Sequence, residues 1–92
     1  MLIPSGAVLH IAKVPLRDLF LYSEQGIDLR LAHEYATTLR KAGARGMDYF
    51  GPLGCARDGD RYGVLEGRHR YLAYLSLAYK HCWVFYYETP AS

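Results

Sequence analysis

The first half of the chain contains a stretch of alternating side chains, followed by a stretch with helical spacing. Residues 7–14 alternate, with Leu9 and Ile11 on one face, and this pattern predicts a first β-strand. Pro15 ends that strand and favours a short helical turn after it. Residues 28–42 predict an amphipathic helix, whose apolar stripe consists of Ala32, Tyr35, Ala36 and Leu39.

Local signals indicate where these elements begin and end. Asp28 has the side chain of a helix N-cap, and Gly43 is suited to end the same helix. The glycine-rich segment 43–52 predicts a loop. Asp58 and Gly59 then lie between two short stretches with strand character, and they predict a tight hairpin in which they are the two turn residues.

The last third of the chain predicts one more helix and one more strand. The helix is expected over residues 68–79, and residues 82–88 form a strand that is apolar on both faces, as is typical of a covered central strand. The order is therefore strand, turn, helix, hairpin, helix, strand. This order predicts an α+β fold, with a small mixed sheet and two main helices.

Composition limits the class of protein. The chain has 92 residues, of which 51% are apolar and 22% are charged, so we expect one folded domain over 1–92. No apolar run approaches the roughly 20 residues of a membrane span, and the first residues lack the basic region of a secretory signal. We therefore expect a cytoplasmic location, with Cys55 and Cys82 as reduced thiols on strands.

The charge is spread unevenly along the chain. The formal net charge is +2, but residues 40–80 carry eight basic and four acidic side chains, a local balance of +4. This bias suits a site for one phosphorylated ligand better than a long duplex footprint. A solvated basic face would explain the same bias.

The segment from Glu66 to Arg70 departs from the usual chemistry of a helix start. Arg68, His69 and Arg70 occupy the first predicted turn after Gly67, where each cation costs about 0.3–1 kcal/mol against the helix dipole. A bound phosphate would reverse that cost, because backbone N–H groups and guanidinium groups would converge on it. The alternative is that both arginines pair with nearby carboxylates, namely Asp58, Asp60 or Glu66.

Residues 60–74 also resemble a known family. The sequence from Glu66 to Ala73 matches the ParB/sulfiredoxin superfamily box, in which a strand is followed by an acidic residue, Gly, any residue, His or Arg, Arg, and then Ala three positions on. The likeness covers about residues 7–88, which we take as the core of a minimal single-domain member.

The resemblance implies roles for individual residues. Gly67 would let the backbone approach a phosphate, while Arg68, His69 and Arg70 would bind it. Glu66 would bind magnesium or act as a base, and His69 is the other candidate catalytic residue. Residues of the first long helix would close the other side of the nucleotide site, with the Thr38 hydroxyl helped by Arg30 or His33.

The departures from the family pattern are equally informative. Sulfiredoxins need a cysteine where this chain has Arg68, which excludes their reductase chemistry. Leu31 and Glu34 replace polar residues that sulfiredoxins use for nucleotide. Full-length ParB proteins have a longer box and a helix-turn-helix domain, so a chain ending at Ser92 is not expected to be a complete CTP-driven DNA clamp.

Three functions follow from this sequence. The first is binding of a nucleoside triphosphate, ATP or CTP, with magnesium, in a DNA-related role of plasmid or phage type; any catalysis would be NTPase or phosphotransferase activity. The second is a small metal-dependent nuclease that binds DNA or RNA. The third is a non-catalytic protein-interaction module. Homodimerisation is expected through the 71–79 helix or the 82–88 strand.

Overall fold

The computed structural model describes residues 6–43 and 50–89, and most of the predicted loop 43–52 lies outside these residues. The described part contains five strands and two α-helices, which confirms the α+β fold class. In chain order they are β1 (Val8–Pro15), a 3₁₀ turn (Leu16–Asp18), β2 (Leu19–Leu21), α1 (Leu29–Ala42), β3 (Leu53–Asp58), β4 (Arg61–Glu66), α2 (Arg68–Ser76) and β5 (His81–Glu88).

The strands form one mixed sheet in the order β1-β5-β3-β4-β2. The pairs β1/β5 and β3/β4 are antiparallel, whereas β3/β5 and β2/β4 are parallel. The two strands of each parallel pair are connected through a helix: α1 lies between β2 and β4, and α2 lies between β3 and β5. Parallel strands need such a long crossover connection. The strand β5 lies inside the sheet, in agreement with its apolar sequence.

The core lies between the two helices and one face of the sheet. The predicted stripe of α1 is confirmed, since Ala32, Ala36 and Leu39 are buried, and the side chain of Asp28 caps the helix by accepting a hydrogen bond from the Arg30 amide at 2.9 Å. Tyr74 of α2 is the largest fully buried side chain. The first helix therefore packs mainly against α2, and both helices contribute to one core with the sheet.

The opposite face of the sheet is exposed within residues 6–43 and 50–89. Leu9 and Ile11 of β1 are 50% and 60% exposed, and they pair with Tyr87 and Phe85 of β5 on this face. On β5 itself, Trp83, Phe85 and Tyr87 of this face are half-buried while the residues of the other face are buried, so the prediction that β5 is covered on both faces is wrong for the described part of the chain. An apolar sequence on a central strand indicates a sheet interior, but it does not show that a second layer covers it.

Three local predictions need correction. The strand β2 was not predicted, because a stretch of three residues is too short for alternation to be visible. The hairpin turn consists of Gly59 and Asp60, not of residues 58 and 59, since Asp58 pairs with Arg61. Gly59 has φ +61°, and a positive φ at the first turn residue is the requirement of a type II′ turn.

The helix α2 ends at Ser76, three residues earlier than predicted. Ala78 adopts a left-handed conformation with φ 58°, and the Tyr79 amide donates to the carbonyl of Tyr74 at 3.0 Å. The reversal brings the Tyr79 ring onto Tyr74, with ring centroids 5.3 Å apart. Tertiary packing of the two rings therefore outweighs the helical spacing of the sequence.

Candidate functional site

The candidate site begins where β4 passes into α2 through Gly67. Gly67 has φ 91° and ψ 28°, a left-handed conformation that favours glycine. A Cβ atom at this position would lie 2.6 Å from both the Arg70 guanidinium and the Leu53 side chain. The first turn of α2 contains no acidic residue, and no side chain caps it.

Arg68 holds the connection between β2 and α1 against the start of α2. Its Nη1 donates to the carbonyl oxygens of Ser23 and Gln25 at 2.9 and 2.7 Å. Charged donors make the stronger class of hydrogen bond, so these contacts fix both the side chain and the segment that it bonds. The Arg68 guanidinium thus has a defined position before any ligand binds.

His69 joins the start of α2 to the start of α1. Its Nε2 accepts a hydrogen bond from the Asp28 amide at 2.9 Å. This hydrogen bond uses Nε2 as the acceptor and fixes the orientation of the imidazole ring. The cap residue of α1 and the candidate phosphate-binding turn of α2 are therefore neighbours.

Arg70 is bonded to Phe50, a residue that also lines a small cavity beside α1. Its Nη1 donates to the Phe50 carbonyl at 2.8 Å, and the Phe50 ring packs edge-on against Tyr35 with centroids 4.9 Å apart. These two rings and Thr38 line a cavity of about 230 Å³, together with Leu31 and Glu34. The Thr38 hydroxyl donates to the Glu34 carbonyl at 3.1 Å. Phe50 thus bonds Arg70 through its carbonyl oxygen and shares the cavity wall with Thr38.

The charges of Arg68 and Arg70 are oriented but not neutralised by a carboxylate in the part of the chain that the structure describes. The ion pairs found there are His10–Glu88, Arg30–Asp28 and Arg57–Glu88. The pairing of Arg68 and Arg70 with Asp58, Asp60 or Glu66, which the sequence left open, is not among them. A carbonyl oxygen accepts a hydrogen bond without cancelling the positive charge of its donor.

Among residues 6–43 and 50–89, the other candidate residues make no recorded hydrogen bond or ion pair with the side chains of Arg68, His69 or Arg70. Glu66 pairs with Gly54 and extends over the exposed face of the sheet, where its Oε2 would lie 3.3 Å from a Cβ at Gly54. The Arg30 side chain is 93% exposed, and His33 is also exposed. Among residues 6–43 and 50–89, no group of three or more His, Cys, Asp or Glu side chains is placed to hold a metal ion.

Sequence reasoning missed the partners that orient the cationic side chains. Ser23, Gln25 and Phe50 contribute main-chain carbonyl oxygens, which every residue type possesses, so no sequence signal marks them. The Phe50 ring was also missed as part of the cavity wall. Its only sequence signal is its place in a glycine-rich loop before β3.

Comparison with known proteins identifies the fold. The sequence matches no protein-family model, and it matches no curated protein. Among solved structures, it is similar to sulfiredoxin from Arabidopsis thaliana, with a TM-score of 0.66 and 18% identity over 88% of this chain and 86% of that one. The predicted likeness is therefore confirmed at the level of the fold: the chain has a ParB/sulfiredoxin-like fold.

Two ParB structures share the fold as well. A Pnob8-like ParB-N domain aligns with a TM-score of 0.68 and 14% identity over 95% of this chain. The C-terminally truncated chromosome-partitioning protein ParB from Caulobacter crescentus, complexed with CTP-γ-S, aligns with a TM-score of 0.65 and 13% identity over 90% of this chain. The alignments span 33% and 46% of those two chains.

In the described part of our chain, no helix has the length and apolar character to cross a membrane.

Proposed function

We propose that the domain binds a nucleoside triphosphate, ATP or CTP, with its phosphates at the start of α2. The observation that carries this proposal is the state of Arg68 and Arg70, whose guanidinium groups are held in place by carbonyl oxygens yet have no carboxylate partner in the described residues. Preoriented, uncompensated cations at a helix N-terminus are suited to an anionic ligand.

Backbone groups at the same place add donors. The first hydrogen bond of α2 runs from the Tyr71 amide to the Gly67 carbonyl at 2.8 Å. The amides of the three preceding residues therefore have no acceptor within the helix and point out of its N-terminal end. A phosphate at this end would receive hydrogen bonds from the main chain and from Arg68 and Arg70 together.

The cavity beside Thr38 supplies a place for the nucleoside. Its volume of about 230 Å³ and its Tyr35 and Phe50 rings suit part of a base or ribose, while the Thr38 hydroxyl, which donates to Glu34, can accept a hydrogen bond from a sugar hydroxyl. The proposal is supported by the fold, because a ParB protein with the same fold has been solved with CTP-γ-S.

Magnesium would enter this site with the triphosphate. The ion usually takes one or two carboxylates and completes its coordination with phosphate oxygens and water. Glu66 is the acidic residue next to Gly67, but its side chain lies over the exposed sheet face, so the described residues do not form a site for the metal alone. In this proposal Arg68 and Arg70 bind the phosphates, and no described residue binds the metal by itself.

Calorimetric titration with ATP, CTP, GTP and ADP, each with and without magnesium, tests the proposal. We expect binding of at least one triphosphate, and we expect Arg70→Ala to weaken it at least about 10-fold, since a hydrogen bond to a charged group contributes about 1.5–3 kcal/mol. Arg40→Ala, at the exposed end of α1, is the control for loss of a positive charge. Absence of heat with all four nucleotides at millimolar concentration, or an equal loss in the control, contradicts the proposal.

The same protein samples test the alternative function, a small metal-dependent nuclease. This alternative is motivated by the ParB-like fold and by a neighbour that is a chromosome-partitioning protein. Incubation with supercoiled plasmid and a divalent metal would show nicking if the chain is a nuclease. Nicking that disappears in Glu66→Gln, without any nucleotide binding, would favour this second function over the first.

We further propose that the domain dimerises through its exposed sheet face. The five strands contain 31 residues, which at about 3.3 Å per residue and about 4.8 Å between strands give a face of roughly 490 Å², below the ~800 Å² per partner of a standard interface and in the range of weak dimers. Leu9, Ile11 and Phe85 give this face the apolar character of an interface. The β5 strand would thus contribute its side chains and not its edge.

Sedimentation tests the dimer. We expect the protein to be dimeric at ~100 µM and Ile11→Lys to be monomeric, because the substitution places a charge among the exposed apolar side chains of the face. Leu29→Lys is the matched control, since Leu29 is 73% exposed but lies at the start of α1. A monomeric wild-type protein at this concentration would remove the argument for dimerisation, and a dimer that survives Ile11→Lys would assign it to another surface.

A further inference from the structure

One cavity in the described part of the chain lies apart from the residues of the proposed nucleotide site. It is an open groove of about 620 Å³ between α2, the turn that follows α2 and the 3₁₀ turn after β1. Leu19, Tyr71 and Leu75 form its apolar floor, and Arg17, Lys80 and His81 form its rim. We call this surface the basic groove. None of the functions argued above uses it.

The walls of the basic groove are fixed to one another. The Tyr71 hydroxyl donates to the Leu19 carbonyl at 3.3 Å, and the Leu16 amide donates to the Lys80 carbonyl at 2.9 Å. The first bond joins α2 to β2, and the second joins the turn before β2 to the turn after α2. The groove is therefore formed before any partner binds, which reduces the entropy cost of binding.

The charge of the basic groove has one sign. Arg17, Lys80 and His81 are all exposed, and no acidic side chain lines the groove; Asp18, the sequence neighbour of Arg17, is not among the lining residues. Arg17 and Lys80 take part in none of the ion pairs found within residues 6–43 and 50–89. The floor is apolar and partly open, with Leu75 47% exposed.

We propose that the basic groove docks an acidic amphipathic segment of a partner protein. Apolar side chains at helical spacing would fill the floor, and Asp or Glu on the flanks would meet the rim, which is the geometry of helix-in-groove recognition. A second copy of this chain fits poorly, because it also carries a net charge of +2. A nucleic acid fits poorly as well, since Arg17 and Lys80 are the two permanently charged cations of the groove, too few to follow a phosphate backbone.

NMR of the full ¹⁵N-labelled chain with synthetic helical peptides tests the proposal. The probe is a peptide of about 14 residues with leucines at helical spacing and glutamates between them, and its control carries lysines in place of the glutamates. We expect the acidic peptide to shift the amide signals of Tyr71, Leu75 and Lys80 and to bind at least about 10-fold more tightly than the basic one.

Two variants assign the contact to the basic groove. Leu75→Glu should weaken binding of the acidic peptide at least about 10-fold. Leu29→Glu, on the exposed start of α1, should leave that binding unchanged. The double variant Arg17→Glu with Lys80→Glu changes only exposed rim side chains, so it tests the charge argument even if Leu75→Glu fails to fold. We expect it to reverse the preference between the two peptides.

Several results would overturn the proposal. These are the absence of shifts at the groove with about 1 mM acidic peptide, equal affinity for both peptides, and shifts confined to other surfaces. Tighter binding of a single-stranded oligonucleotide at the same residues would assign the groove to nucleic acid. Groove shifts that depend on protein concentration alone would assign it to a second copy. The nucleotide titration is independent of all these outcomes.

Discussion

Replacing Gly67 with alanine should lower the free energy of unfolding by about 2–5 kcal/mol. The left-handed backbone at φ 91° costs an alanine about 1–2 kcal/mol, and the new Cβ would lie 2.6 Å from Arg70 and Leu53, an overpacking that costs about 1–3 kcal/mol more. Urea unfolding followed by the fluorescence of Trp83, the single tryptophan of the chain, measures this change.

Gly59→Ala is the matched control for Gly67→Ala. Gly59 also has a positive φ, +61°, but nothing lies within 4 Å of the Cβ that it would gain. It should therefore lose only the backbone cost of about 1–2 kcal/mol. Equal losses in the two variants would show that the contact with Arg70 and Leu53 does not matter. Nucleotide binding should fall only in Gly67→Ala, because only there does the new atom displace Arg70.

The parts of the fold that could be predicted are those with local causes. Asp28 caps α1 through its own side chain, and the apolar stripe of that helix needs only the helical period to be visible. The cationic first turn of α2 is equally local, since a helix start with arginines is unusual by itself. These features depend on residues within a few positions of one another.

The parts that could not be predicted depend on distant residues. The pairing of β2 with β4 joins Leu19 to Tyr62, and the carbonyl partners of Arg68 are 43 and 45 positions away in the chain. In each case tertiary contacts decide between conformations that the local sequence allows equally.

The burial of the two cysteines was not predicted from the sequence, although their place on strands was. Cys55 and Cys82 lie on β3 and β5, on the face that packs against the helices, and they are 2% and 1% exposed. Burial raises the pKa of the Cys55 thiol to about 12 and that of the Cys82 thiol to about 11. The thiolate is the nucleophilic form of cysteine. Neither Cys55 nor Cys82 therefore supplies a reactive thiol in this sulfiredoxin-like fold.

We expect both thiols to react with iodoacetamide at pH 8 at least about 100-fold more slowly in the native protein than in urea. With a pKa of 11 or 12, the thiolate fraction at pH 8 is about 10⁻³ or 10⁻⁴, compared with about 0.1 for a thiol at the usual 9.0. Mass spectrometry gives the rates. Lys41→Cys, on the exposed end of α1, supplies a native-state reference that should react at the ordinary rate.

The same pKa shifts predict that the free energy of unfolding falls at high pH. A thiol whose pKa is higher in the folded state stabilises the fold fully below the unfolded value of 9.0, and this contribution is lost as pH rises through the folded values of about 11 and 12. Unfolding by urea should therefore become easier above pH 9, and Cys55→Ala with Cys82→Ala should reduce that pH dependence.

The iodoacetamide rates would contradict this account if the native thiols reacted as fast as the Lys41→Cys reference. Such rates would contradict the burial of both cysteines and, with it, the packing of β3 and β5 against the helices.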